Sequence, residues 1–161
     1  MMTLSRRTST DMQSYIDSQG IQAEMLLLDE DTPTVPEAAR VLGVAPEQIV
    51  KSLVFLVNKA PILIIANGTH RVDRRKVAKH FSVGVKKVKF ASAEQALDIT
   101  GYIVGSMPPF GHKTTLDTYI DPQIMTWPTI FGGGGEIHAM IKLTPAELQK
   151  FSQGHLLPVL E

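Results

Sequence analysis

Hydrophobic positions in this chain recur with two periods. From Ile49 to Val57 nearly every position is apolar or β-branched on both alternating faces, which predicts a central strand buried on two sides. Asn58-Lys59 supplies a turn, Pro61 to Ala66 a partner strand, and Asn67-Gly68 a second turn signal. Shorter strand patterns cover Glu24–Leu28, Val85–Phe90, Thr115–Ile120, Thr129–Phe131 and Ile137–Leu143. Helical spacing appears in Thr10–Gly20, where Met12, Tyr15, Ile16 and Gln19 share a face, Ser9 or Thr10 can cap, and Gly20 can close the helix. Thr34-Val35-Pro36-Glu37 has capping-box spacing ahead of a helix that stops at Gly43. Ala45 to Gln48 reads as one more helical turn. Asp73 caps a helix from Arg74 to Phe81, Ser92 starts one reaching about Leu97, and Thr144 caps one reaching about Phe151. Asp121-Pro122 opens a turn toward Trp127.

Strands and helices are interleaved, and short turns join several neighbouring strands. A doubly wound parallel sheet therefore gives way to an α+β fold, a single domain with a mixed central β-sheet and flanking helices. The length of 161 residues suits one domain with its own core. Residues 1–8 read as a flexible polar lead-in, and 9–161 as the domain. With no cysteine there is no disulfide framework, thiolate metal site or cysteine nucleophile. No apolar run is long enough to span a membrane, and no apolar segment follows Arg6-Arg7 as in a secretory signal. A cytoplasmic location is expected.

The candidate chemistry is sparse. Thr100 to Lys113 gathers Gly101, Gly105 and Gly111 with Pro108, Pro109, Ser106 and His112. Such a run suits an exposed backbone loop that holds a ligand, and equally a tight turn between strands. Lys51 shares a strand face with Leu53, Phe55 and Val57. A lysine there either snorkels past the strand end or presents a cation to a half-buried pocket. Gly132 to Gly135 lacks the lysine and hydroxyl of a phosphate-binding loop, so a flexible hairpin is its simpler reading. The five histidines show no metal-ligand spacing. Ser106 is not set in a nucleophile elbow. Net charge is +0, which argues against a general nucleic-acid binder, yet Arg71, Arg74, Arg75, Lys76, Lys79, Lys86, Lys87 and Lys89 are clustered. That cluster fits a solvated helix face or a surface for phosphates. A lysine, main-chain donors and a few hydroxyls serve positioning and oxyanion stabilisation better than covalent catalysis.

In combination, Ile49-Val50-Lys51-Ser52-Leu53, Arg71 to Ala78, Thr100 to Gly105 with Pro109 to Lys113, Tyr119-Ile120-Asp121, and the glycine run with Leu143 to Leu148 resemble the YbaK/prolyl-tRNA-synthetase-associated (ProX/YbaK) editing domains. The pieces occur in the family's order and cover most of the chain from about residue 20. The resemblance implies a mixed sheet with flanking helices and a free-standing trans-editing enzyme. Such an enzyme hydrolyses the ester between a wrong amino acid and the 3′ end of a tRNA. No metal or organic cofactor is implied. The substrates would be Cys-tRNA(Pro) or tRNAs carrying another small amino acid (Ala, Ser, Thr), and an aminoacyl-tRNA synthetase is a candidate partner.

By that resemblance the signature lysine is Lys51, assigned to catalysis by holding the 3′-terminal adenosine or its phosphate. Main-chain N–H groups near Gly101, Gly105 and Gly132–Gly135 would polarise the carbonyl. Ser52, Ser106, Pro109, Gly111, His112, Asp121, Gly133 and Gly134 would line or brace the pocket. Arg71, Arg74, Arg75 and Lys79 would contact the acceptor stem. Three departures stand out: Ser106 where the Cys-tRNA(Pro) branch commonly has glycine, Ser52 where it commonly has threonine, and Glu136-Ile137 after the glycine run. Two rival readings are a non-catalytic module that binds aminoacyl-tRNA or a synthetase, and a small-ester or thioester hydrolase.

Overall fold

The apolar run at Ile49–Val57 and its partner fold as the two longest strands of a computed structural model that describes residues 6–161. In chain order the helices are α1 (Ser9–Gln19), α2 (Val35–Leu42), α3 (Arg74–Phe81), α4 (Ala93–Thr100) and α5 (Pro145–Ser152). The strands are β1 (Ala23–Leu27), β2 (Val50–Val57), β3 (Ala60–Asn67), β4 (Val88–Phe90), β5 (Asp117–Ile120), β6 (Ile130–Gly133), β7 (Ala139–Leu143) and β8 (His155–Leu156). Short 3-10 turns occupy Pro46–Gln48, Val85–Lys87 and Pro122–Thr126.

The strands form two sheets rather than one. A mixed five-stranded sheet has the order β4-β2-β3-β5-β8, and an antiparallel three-stranded sheet has the order β1-β7-β6. A parallel bridge between Ile49 and Phe131 joins them. The α+β class and the mixed sheet hold; the division into two sheets is not visible in the hydrophobic pattern.

Alternation along β2 and β3 sorts their side chains between two cores. Val50, Val54, Leu63 and Ile65 join the larger one, with Met12, Ile16, Tyr102 and Ile141. Phe55, Val57, Ile62, Ile64 and Ala66 pack under α3 with Val77, Ala78, Val159 and Leu160. The expectation of a strand pair buried on both faces is met. Each fully buried aliphatic side chain contributes roughly 1.5–3 kcal/mol to folding. A third cluster, with Ala38, Ile49, Phe131 and Met140, seats α2 on the smaller sheet.

Helix ends follow the local chemistry. Thr34, Asp73, Ser92 and Thr144 each accept a backbone N–H at the start of α2, α3, α4 and α5. α4 runs to Thr100, a turn beyond the expected end at Leu97, because Gly101 takes φ +83° and closes it there. The expected strand at Val85 begins at Val88, after the 3-10 turn. The cap of α1 is Thr8, whose N–H donates to Asp11 at 2.8 Å, rather than Ser9 or Thr10.

Residues 7 and 8 are not a free lead-in; Met1 to Ser5 lie outside the described residues. The Arg7 N–H donates to the Gly101 carbonyl at 2.6 Å, and its guanidinium to the Gly111 carbonyl at 2.9 Å. Ser9 donates through its N–H (3.2 Å) and its hydroxyl to the Glu136 carboxylate, so α1 is tied to the β6–β7 hairpin. The hydrogen bonds from Ser9 hold the Glu136 carboxyl below the usual carboxylate range.

Asp121 follows β5 and is buried. It accepts from Gln123 N–H and from Val159 N–H, both at 3.0 Å, clamping the C-terminal segment against the sheet. Replacing it with alanine leaves the buried Val159 N–H without an acceptor and removes the cap on the Gln123 N–H, so Asp121→Ala is expected to cost about 1–3 kcal/mol. Urea denaturation of the purified variant measures this directly.

Candidate active site

β3 runs along the whole of β2, pairing Val50 with Asn67 through Val57 with Ala60. Anything else that pairs with β2 must therefore use its other edge. Two elements do so, at opposite ends. β4 pairs with Phe55–Val57, and the Phe131 bridge sits at Ile49. Between them the edge is open, apart from the Ala91 N–H donating to the Val54 carbonyl at 3.0 Å.

Strand geometry gives the direction of the exposed groups. The Ile49 carbonyl accepts from Gly68 on the β3 side, whereas the Val54 carbonyl points the opposite way, toward Ala91. Main-chain groups two residues apart point alike, so Ser52 presents both its N–H and its C=O to the open edge.

A cavity of about 650 Å³ occupies this gap. Its floor and walls include Val50, Lys51, Ser52, Leu53 and Val54 of β2, with Ala38, Ala96, Met107 and Met140. The exposed residues Pro33, Thr34, Pro36, Thr69, Phe90, Val104 and Gly105 form the rim. The lining is mostly apolar, with a few polar groups, as in a small-molecule site.

Lys51 is half-buried at one side of this cavity. Its Nζ donates to the His70 carbonyl at 2.8 Å. Burial pushes its pKa below the usual lysine value. None of the ion pairs among the described residues involves it. An ammonium that is partly desolvated and lacks a carboxylate is suited to hold an incoming anion.

Of the residues singled out from sequence, Lys51, Ser52, Gly105 and Gly133 line the cavity together. The others do not. Most of the Thr100–Lys113 run is buried, not an exposed ligand loop; Val104, Gly105 and Met107 reach the cavity. Ser106 is fully buried and its hydroxyl donates to the Ile103 carbonyl at 2.9 Å. Pro109 is buried in the same loop. Gly111 packs on α1, where an added Cβ would lie 2.8 Å from the Tyr15 ring and 2.9 Å from Met12. Asp121 is the clamp described above.

The glycine N–H groups are largely spent. Gly101 donates to Leu97 (2.8 Å), Gly134 to Ala139 (2.9 Å) and Gly135 to Ser106 (3.0 Å). The role of the glycine run is close packing. A Cβ on Gly133 would fall on the Met107 carbonyl, and one on Gly134 would lie 2.8 Å from the backbone of Ala139. The hairpin thus presses the Ser106–Met107 backbone against the cavity wall.

The basic stretch lies apart from the cavity floor. Arg71, Arg75 and Lys79 are exposed, and Arg75 pairs with Asp73 at 3.6 Å. Arg74 donates to the Val88 carbonyl at 3.1 Å, fastening α3 to β4. Among the described residues no three His, Asp or Glu side chains cluster as a metal site.

The cavity residues that sequence reading missed are chiefly Phe90, Val104, Thr69 and the Thr32–Pro36 segment. Phe90 and Val104 carry a signal, as large apolar residues beside turns, but only the open edge of β2 gives that signal a place.

A family model for the aminoacyl-tRNA editing domain matches residues 29–151. The chain belongs to the aminoacyl-tRNA editing domain family. It is 33% identical over 125 residues to the uncharacterised protein YwhH of Bacillus subtilis strain 168, covering 77% of this chain and 78% of that one. It is also 33% identical over 106 residues to a proline–tRNA ligase of Bacillus licheniformis, covering 63% of this chain but 18% of the ligase. A solved structure described as a proposed trans-editing enzyme for prolyl-tRNA synthetase superposes with a TM-score of 0.88 at 29% identity, covering 95% of this chain and 96% of that one. The fold and the family expected from sequence are both met. No helix among the described residues is long and apolar enough to cross a membrane.

In this editing domain His112 has a structural place. Its Nε2 donates to the Pro108 carbonyl at 2.7 Å, and burial, opposed by that bond and aided by Arg7, pushes its pKa down to about 4. The folded imidazole is neutral, whereas the unfolded chain takes a proton near pH 6.5. Between about pH 6.5 and 4 the unfolded state therefore binds more protons, and stability falls as the pH falls. His112→Gln is expected to flatten this loss by about 2 kcal/mol, measured by urea denaturation at pH 7 and 4.5.

Proposed function

We propose that this chain is a trans-acting aminoacyl-tRNA deacylase that clears a small, wrongly attached amino acid, Cys first and Ala, Ser or Thr next, from tRNA(Pro). The observation that carries the reading is the cavity at the open edge of β2, where an unpaired half-buried lysine and a free main-chain donor meet. The family match and the similarity to a proposed trans-editing enzyme supply the substrate class.

In this reading Lys51 holds a phosphate or ribose oxygen at the 3′ end, exchanging the His70 carbonyl for the substrate. The Ser52 N–H and the main chain at Gly105 face the ester carbonyl and stabilise the oxyanion that forms on it. Water, activated by a hydroxyl or amine of the substrate, adds to that carbonyl. The bond from the acyl carbon to the ribose oxygen breaks, the ribose oxygen takes a proton, and the amino acid leaves as its carboxylate. No hydroxyl in the cavity lining is hydrogen-bonded to a histidine or carboxylate base, which favours catalysis by positioning over a covalent intermediate. The apolar floor formed by Ala38, Val50, Val54 and Met107 accepts a small side chain. It discriminates by about 1–3 kcal/mol per methylene.

The exposed cations Arg71, Arg75 and Lys79, together with Arg74, serve as the contact for the acceptor stem. Substituting Arg75→Glu and Lys79→Glu removes two phosphate partners without disturbing the Arg74 bond to Val88. The slope of log affinity for tRNA against log salt should become shallower by about 0.9 for each phosphate no longer neutralised. An unchanged slope would return these residues to a solvated face.

The deciding measurement is a panel of mischarged tRNAs and the matching free amino-acid esters. Hydrolysis of tRNA esters alone supports the proposal. Binding of charged tRNA with the ester left intact would indicate a non-catalytic module. Equal hydrolysis of free esters would indicate a metabolite esterase. Lys51→Ala is expected to lower kcat/KM on the best tRNA substrate about 100-fold, or about 2.7 kcal/mol. Lys51→Arg should not restore it, because a planar fork does not replace a compact ammonium.

A further inference from the structure

Phe90 is the large side chain that the proposed reaction leaves without a task. It is the last residue of β4 and stands beside the open edge of β2. It lines the cavity and is nevertheless 58% exposed. Its ring lies on that of Phe55, its cross-strand partner, with centroids 4.2 Å apart and planes inclined by 34°. One face of the ring is thus fixed and the ring is held at the rim.

The surroundings of Phe90 carry both apolar surface and positive charge. Strand alternation puts Phe90 on the same sheet face as Leu53 and Lys51. Val104, also 58% exposed, lines the same cavity. Lys51 lies toward one end of this face. Toward the other, the Arg74 guanidinium is bonded to the Val88 carbonyl, two residues from Phe90; Lys89, next to Phe90 in β4, points to the opposite sheet face. A flat apolar ring between cations is the arrangement that takes an unpaired base and its flanking phosphates. The cavity volume of about 650 Å³ also exceeds what one small aminoacyl group fills.

We infer that Phe90 is the stacking platform for the terminal unpaired nucleobase of an acylated RNA, with Lys51 facing the acylated ribose end of that nucleotide and Arg74 facing the phosphates on its 5′ side. This rests on the deacylase reading for the acyl group, but the stacking itself requires RNA alone. It gives an exposed aromatic at the cavity mouth a ligand of defined chemistry, and charge complementarity favours RNA over an apolar protein surface.

The test uses the full chain with Phe90→Trp as a fluorescent reporter, in a Trp127→Phe background because Trp127 is the one native tryptophan. The probes are a short single-stranded RNA ending in CCA-3′ and the same RNA with its terminal base removed. Quenching by the intact RNA, with at least tenfold weaker binding of the abasic one, is the expected result. On an aminoacyl-tRNA substrate, Phe90→Ala should raise KM about tenfold with kcat little changed, and Phe90→Tyr should restore KM. Equal affinity for the two RNAs, or an unchanged KM in Phe90→Ala, overturns the inference. A protein that discriminates the two RNAs but hydrolyses no aminoacyl-tRNA keeps the stacking platform and removes the deacylase reading. One that hydrolyses but does not discriminate does the reverse.

Discussion

The structure depends on an interruption in hydrogen bonding along one strand. β2 is paired over its full length with β3, yet its second edge is taken by β4 at one end and by the Phe131 bridge at the other. An unpaired strand edge is ordinarily a liability, because its N–H and C=O groups invite another chain. Here the gap is centred on Ser52 and is walled by the α2 entry, the Val104–Met107 turn and the β6 hairpin. The edge is thereby closed to a full strand and open to something smaller. The same interruption divides the strands into two sheets and creates the cavity, so architecture and candidate site have one origin.

Lys51 gains its character from that interruption. Two residues further along the same strand face, Leu53 already packs against the α3 core, and Phe55 is fully buried. Near the strand's beginning the covering layer ends and the Lys51 stem follows the cavity wall. The amine is half-buried, and that partial loss of hydration lowers its pKa from the usual lysine value. A single carbonyl, that of His70, holds it. Such a bond is exchangeable for an anion at little net cost, because one oxygen acceptor replaces another.

Much of this is legible in the sequence. The double burial of β2 follows from an apolar run without polar alternation, and the helix starts follow from Thr34, Asp73, Ser92 and Thr144. The α+β class follows from interleaving and short turns. The odd lysine is visible because every neighbour on its face is apolar. The site is less legible for a physical reason. Which edge of β2 stays unpaired depends on where β4 and β6, far apart in sequence, meet it. That is a long-range registry that no local pattern records. His112, Ser106 and Asp121 resemble pocket residues in the sequence because polar groups among glycines and prolines suggest ligand contact. In the fold each satisfies buried main chain instead: Pro108, Ile103, and Gln123 with Val159.

The glycines show how the same residue type serves a different physical purpose from the expected one. Gly101, Gly134 and Gly135 do not offer their N–H groups to a ligand, since all three are consumed within the protein. Gly101 closes α4 at a positive φ, and Gly134 and Gly135 remove side chains where two backbones must touch. Gly135 takes φ +99°, and a Cβ there would lie 2.9 Å from the Thr8 backbone; Gly133 and Gly134 meet the Met107 and Ala139 backbones in the same way. This compaction holds the 104–107 turn against the open edge of β2. On the proposed reading, the donors that reach a substrate come from the interrupted strand, chiefly Ser52, and not from the Gly132–Gly135 run. A donor fixed by a ladder on its other side is more rigid than one in a flexible loop. Rigidity is what oxyanion stabilisation requires, because the dipole must already point where charge will develop.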